Sequence, residues 1–224
     1  MQNTAENAQL KTRKKILTMV QFAILLGITA IVCFTPLGSI PIGPVVATIA
    51  MVPVVITAIL MGTLAGTLMG FFAGLFSFMV WTFSPPNPAI AFLFTPFYSL
   101  GEISGGFGSI LICFVPRILI GTYSGLIFTA FNRFFENKAG EPVLYAVCGA
   151  SGALVNTVLV LAGWYIFFAD EIAKTFEIEI SMVFNFAIIG TFTTNGVPEA
   201  VVSALLIVCV CLPVRKVLKK QNLL

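Results

Sequence analysis

Long apolar runs, divided at clusters of glycine and proline, leave this chain few environments in which to fold. The first run extends from Ile16 to Phe34, and the last keeps an apolar character for 31 residues, from Met182 to Leu212. A helix crosses a bilayer with roughly 20 predominantly apolar residues. Charge agrees with run length. Charged residues make up 9% of the chain and hydrophobic ones 58%, where a soluble domain carries about 25% charge. The expectation is an all-α integral membrane protein, one membrane domain over residues 1–224. Six transmembrane helices are expected, at about 15–35, 45–61, 63–82, 110–132, 143–168 and 196–219, with a long outer loop at 83–109 after helix three.

The basic cluster Lys11, Arg13, Lys14 and Lys15 ahead of the first run resembles the start of a signal peptide. The run is too long for the apolar core of one, and no small-residue cleavage site follows, so it is read as a retained helix. The C-terminal part is harder to divide. "NGVPE" (195–199) interrupts it. Proline is tolerated in a first helical turn, and a carboxylate there faces the positive helix end. The sixth helix is therefore expected to start near 196, with 171–195 an outer connection dipping back into the bundle. The rival is one long helix kinked at Pro198.

Ten of the twelve Lys and Arg fall before helix one, at Arg133 and Lys138, or at Arg215, Lys216, Lys219 and Lys220. Six spans put these on one side. The other side holds Glu102, Asp170, Glu171, Glu177 and Glu179, with Lys174 alone among them. The positive-inside rule then places both termini in the cytoplasm.

Several functions are excluded or unsupported. The net charge of +3 is too small to suggest nucleic acid. With no histidine in the chain, a His-dependent hydrolase is excluded and the commonest transition-metal nitrogen ligand is absent. Five cysteines lie in apolar runs without a CxxC pair, which reads as buried small hydrophobes. There is no G-x-x-x-x-G-K-[ST] phosphate loop. No catalytic residue, cofactor or metal is expected.

Three features are candidates for function. Helix three carries Gly62, Gly66, Gly70 and Gly74 at intervals of four, and helix one carries Ala23 and Gly27. Such smooth faces let a helix backbone approach closely, either inside the bundle or on a separate membrane subunit. The loop 83–109 is apolar and aromatic, suited either to closing over the outer mouth of the bundle or to anchoring at the interface. The third feature is "VPRILIG" (115–121), which places a charge inside an apolar run. An arginine at the centre of a spanning helix costs about 2.5–3.5 kcal/mol by insertion scales. Arg117 is expected about eight residues into helix four, roughly 12 Å below its outer end. Asn156 and Thr157, mid-way along helix five, and Asn195 and Glu199, at the start of helix six, could meet it there. Arg117 then binds an anionic ligand, which arginine can grip bidentately, or pairs structurally with Glu199, or snorkels to the headgroups. Asn156 serves a ligand or an interhelical hydrogen bond, and Glu199 caps helix six or orients Arg117.

Together "FTPLGSIPIGP" (34–44), "ILMGTLAGTLMGFFAGLFSF" (59–78), "CFVPRILIG" (113–121), "GALVNTVLVL" (152–161) and "NGVPEA" (195–200) resemble the S-components of energy-coupling factor vitamin transporters, most closely the pantothenate-specific members. The family's usual Ala-x-x-x-Ala on helix one is here Ala23-x-x-x-Gly27. The resemblance implies a non-enzymatic, multi-pass subunit of a bacterial plasma membrane. It implies capture of a vitamin from outside under closed loops, then docking through helices one to three on a membrane coupling subunit with two cytoplasmic ATPases. By that resemblance Arg117 holds the pantothenate carboxylate and Asn156 and Asn195 serve its hydroxyls and amide. Tyr98 and Trp81 wall the site, Glu199 lies beside it, and Ala23, Gly27, Gly62, Gly66 and Gly70 form the docking face. Another vitamin (folate, riboflavin, a thiamin precursor), a stand-alone carrier and a structural scaffold remain open readings.

Overall fold

A computed structural model describes residues 2–38, 40–42, 45–101, 103–135 and 140–220. Glu102 and Lys138, both used in the charge reading, lie outside the described residues. Helices dominate: α1 (Gln2–Phe34), α2 (Val52–Met61), α3 (Thr63–Phe83), α4 (Phe107–Phe131), α5 (Glu141–Thr175), α6 (Ile180–Phe184) and α7 (Val197–Lys220). Among the described residues five helical segments are long and apolar enough to cross a membrane: Thr12–Phe34, Thr63–Phe83, Phe107–Phe131, Glu141–Thr175 and Phe192–Lys220. The sixth apolar helix, α2, is short. Val54, Val55 and Ala58 on it are wholly buried, as befits a helix that is hydrophobic all round and surrounded by other helices.

Two departures from the sequence expectation concern the connections. The first residues expected in helix two instead form strand β2 (Val45–Ala47), paired antiparallel with β1 (Ile40–Ile42) from the expected link, in the register Ile40 to Ala47. Pro41 disfavours a helix there, and the β-branched residues beside it favour an extended chain. A second pair, β3 (Ser99–Leu100) and β4 (Ile103–Ser104), lies in the loop before α4. The stretch 171–195 is not an outer connection dipping inward. α5 continues to Thr175 through a kink at Phe168 (φ −139°, ψ 25°). The chain turns at Glu177 (φ 52°). It then runs helically from Ile180 through two π-helical segments, Asn185–Gly190 and Phe192–Gly196, directly into α7.

The glycine stripe also has a different role from the docking face expected of it. A Cβ at Gly66 would lie 2.9 Å from the Gly121 carbonyl oxygen and 2.5 Å from the Ala58 Cβ. A Cβ at Gly70 would lie 2.2 Å from the Arg117 carbonyl oxygen. From the other side, a Cβ at Gly121 would stand 2.0 Å from the Gly66 carbonyl oxygen, and one at Gly125 2.5 Å from the Thr63 Cα. The backbones of α3 and α4 therefore touch, and the Thr67 and Thr122 hydroxyls share a hydrogen bond of 2.8 Å across the seam. Gly66 and Gly70 are used inside the bundle, as close helix packing in membranes requires. Gly62 serves the break between α2 and α3, where φ is +92°, a conformation that glycine adopts without steric penalty.

The helix ends nearest the two termini are tied by polar groups. Buried Arg215 donates to the Tyr145 hydroxyl (3.3 Å) and to Asn132 Oδ1 (3.2 Å). Its guanidinium carbon lies 4.7 Å from the centre of the Phe128 ring. Lys219 pairs with Glu141. These contacts fix α4, α5 and α7 together at the end remote from the hairpins.

Candidate ligand-binding site

The sequence Pro116–Arg117 acts as one unit. Proline has no N–H, so inside α4 it leaves the carbonyl four residues earlier, that of Ile112, without its usual helical donor. Arg117 Nη1 donates to that oxygen at 2.9 Å. The charged side chain thus runs back along α4 toward the loop end, anchored by a backbone acceptor that the proline has freed. The aromatic face of Phe94 lies 5.5 Å from its guanidinium carbon, within range of a cation–π attraction.

Around the guanidinium is a cavity with an empty volume of about 720 Å³, part of it open to solvent. Its walls come from nearly every element. Cys33 belongs to α1, Thr48 and Ala50 follow β2, and Ser77, Val80 and Trp81 are on α3. Ile90 and Phe94 come from the loop, Arg117 from α4, and Asn156, Thr157, Val160, Leu161 and Trp164 from α5. Thr191 and Asn195 lie along the π-helical stretch and Glu199 in the first turn of α7. π-helical turns are rare and gather at functional sites, because the wider turn re-aims side chains. Here the second one carries Asn195 to the cavity wall.

The aromatic end of the cavity is rigid. Trp81 stacks on Phe94 with ring centres 4.5 Å apart, and Trp164 meets the same Phe94 edge-on at 6.1 Å. The loop holding Phe94 is bolted down on both sides. Asn87 Oδ1 accepts the Ala89 N–H (3.0 Å), the Ser109 hydroxyl donates to the Phe92 carbonyl (2.6 Å), and the Thr82 and Thr95 hydroxyls share a hydrogen bond of 2.8 Å. A Cβ at Gly105 would sit 2.1 Å from the Thr95 carbonyl oxygen, so only glycine lets the returning strand pass this close.

The cavity's polar groups are incompletely satisfied by the protein. Both amide atoms of Asn195, the Asn156 Oδ1 and the Trp164 Nε1 are buried without a hydrogen-bond partner among the described residues. Buried polar atoms almost always have one, so four such atoms on one cavity wall describe a surface built to receive polar groups. Glu199 is 8% exposed and accepts the backbone N–H of Thr48. Thr48 in turn donates its hydroxyl to the Gly38 carbonyl at 2.9 Å, so Glu199 fastens the end of the first hairpin to α7. Arg117 and Glu199 line the same cavity, yet among the described residues the salt bridge formed is that of Lys219 with Glu141.

A sequence model of the family described as "ECF transporter, substrate-specific component" matches residues 17–211. The chain belongs to this family. It is a transporter component and not an enzyme. A relative from Lactococcus lactis subsp. cremoris (strain MG1363), the "Pantothenic acid transporter PanT", is 29% identical over 164 residues, covering 73% of this chain and 74% of its own length.

Of the residues singled out from the sequence, the structure brings Arg117, Asn156, Asn195, Trp81 and Glu199 to one cavity in this family member. Tyr98 is not on its wall. It packs, half-buried, against the aromatic cluster that includes Trp81, Phe92 and Trp164. Ala23 and Gly27 lie exposed on α1, and a Cβ at Gly27 would meet nothing within 4 Å. Sequence reasoning missed Thr48, Phe94 as a wall residue, Thr191 and Trp164. A lone tryptophan in an apolar helix reads as core, and its unpaired N–H emerges only once its neighbours are placed.

Proposed function

We propose that this chain is the vitamin-binding subunit of an energy-coupling factor importer and that its vitamin is pantothenate. Pantothenate carries one carboxylate, two hydroxyls and an amide. Arg117 takes the carboxylate, and the amides of Asn156 and Asn195 take hydroxyl and amide groups. The observation that carries the reading is the meeting on one cavity of an anchored arginine, in no salt bridge among the described residues, with the Asn156 Oδ1 and both Asn195 amide atoms, which have no hydrogen-bond partner among those residues. The relative carrying a pantothenic acid transporter name, though 29% identical, points the same way.

In this reading the bundle has six spans, counting α2, with both termini in the cytoplasm and the hairpin loops outside. The chain has no phosphate loop, so a separate coupling subunit and two ATPases drive uptake. The exposed small-residue face of α1 at Ala23 and Gly27 docks that subunit. Only 11% of the apolar span of α1 is buried within the bundle, which leaves that face free for lipid or a partner. The test is to purify the full chain in detergent, identify any retained small molecule by mass spectrometry, and titrate it with pantothenate, folate, riboflavin and thiamin. Pantothenate alone among these should bind with saturation. Retention of another vitamin would replace the ligand. Pantothenate uptake into liposomes containing this chain alone would replace the importer reading with a carrier.

A further inference from the structure

The cavity's unsatisfied atoms lie at two heights. Trp164 is eight residues beyond Asn156 on α5, roughly 12 Å nearer the loop end at 1.5 Å per residue. The packing holds that height. A Cβ at Gly163 would lie 2.6 Å from the Ile112 side chain, and one at Gly152 3.1 Å from the Ser124 hydroxyl, so α5 is keyed against α4 above and below the site. Asn156 and Glu199 lie deep, and the Arg117 guanidinium, 5.5 Å from the centre of the Phe94 ring, stands between them and the roof. Trp164 belongs to the aromatic roof with Trp81 and Phe94. Val160 and Leu161 line the wall between. Trp164 is 3% exposed, and its Nε1 has no hydrogen-bond partner among the described residues.

An indole N–H donates and cannot accept. A group facing it must offer a lone pair. A hydroxyl or carbonyl oxygen does so, whereas an ammonium or a hydrocarbon end does not. We infer that Trp164 is a specificity-determining residue whose indole N–H donates to an uncharged acceptor oxygen of the ligand. The inference rests on the pantothenate reading, with the acid at Arg117. With the carboxylate on Arg117, a hydroxyl oxygen is the group assigned to the indole. Discrimination follows from the same geometry. A site built to hydrogen-bond a substrate group rejects an analogue lacking it far more strongly than an apolar wall would, because the donor is then left buried and unpaired.

The experiment uses the full chain in detergent and calorimetric titration with pantothenate and with its analogue lacking the terminal hydroxyl. Trp164→Phe keeps the ring against Phe94 and removes the N–H. It should weaken pantothenate by roughly 5- to 150-fold. The analogue should bind the wild type weakly and lose little more in the variant, the non-additivity that ties one side chain to one ligand group. Failure of the wild type to bind pantothenate would overturn the functional reading itself. Binding that depends on Arg117 but is unchanged in Trp164→Phe would overturn this inference alone. Equal losses for pantothenate and the analogue would overturn the assignment of that hydroxyl to Trp164. Should Trp164→Phe fail to fold, Trp81→Phe leaves Trp164 as the one remaining tryptophan of the chain's two. Its indole proton resonance should then move downfield when pantothenate is added, and a resonance that stays in place overturns the donor role.

Discussion

Replacing Pro116 by alanine should weaken ligand binding while leaving the fold in place. Alanine restores an N–H to α4, and that donor claims the Ile112 carbonyl now held by Arg117 Nη1 at 2.9 Å. An interior proline costs a helix about 3 kcal/mol. A hydrogen bond to a charged group is worth about 1.5–3 kcal/mol, and two buried methylenes are lost at about 0.8 kcal/mol each. These contributions largely cancel, so ligand-free stability should lie within about 2 kcal/mol of wild type, a shift of several degrees in Tm. Binding has no such compensation. The released arginine must be immobilised when the ligand arrives, at about 0.5–1.5 kcal/mol for a rotamer-rich side chain. That is about 2- to 13-fold in Kd. Calorimetric titration with pantothenate, alongside thermal melts without ligand, reads both quantities. An unchanged Kd would show that the carbonyl anchor does not prepare Arg117. A collapse of ligand-free stability would show that the proline is needed for packing instead.

Gly70→Ala places a methyl 2.2 Å from the Arg117 carbonyl oxygen. It should lower ligand-free stability by about 1–3 kcal/mol, as overpacking does, and weaken binding with it; a melting curve like that of wild type would refute the backbone contact of α3 with α4. Gly27→Leu adds a side chain where nothing lies within 4 Å. Melting and pantothenate affinity should be unchanged, while uptake by cells that express the whole importer is lost; retained uptake would remove α1 from the docking surface.

The membrane class was legible because burying charge in hydrocarbon is so unfavourable that hydropathy leaves little choice. Arg117 stood out for the same reason, as a lone charge in an apolar run. The glycine stripe was left between packing inside the bundle and docking a separate subunit, because spacing shows that a face is smooth without showing which neighbour uses it. Gly121 and Gly125, spaced alike on α4, were the complementary signal. The first hairpin was hidden because Val45, Val46 and Ala47 continue the apolar run of α2, and hydropathy alone does not separate a short strand from a helix start. Glu199 was read as a helix cap or a partner for Arg117. Its contact with the Thr48 backbone spans 151 positions of chain, which no local pattern reports. The π-helical turns that carry Asn195 inward likewise depend on packing against α5, and their residue types carry no signature of a wide turn.

The most direct test of the account is a double comparison at Arg117. Pantothenate and an analogue with the carboxylate replaced by a neutral group are titrated into the wild type and into Arg117→Ala. Truncating one partner of a buried, hydrogen-bonded charge pair costs about 2–5 kcal/mol, or roughly 30-fold to several thousand-fold in Kd. The account predicts that loss for pantothenate, weak binding of the neutral analogue to the wild type, and little further loss of the analogue in the variant. Equal weakening of the acid and the neutral analogue in Arg117→Ala would contradict it, because the arginine would then be supporting the cavity and not holding the ligand's charge.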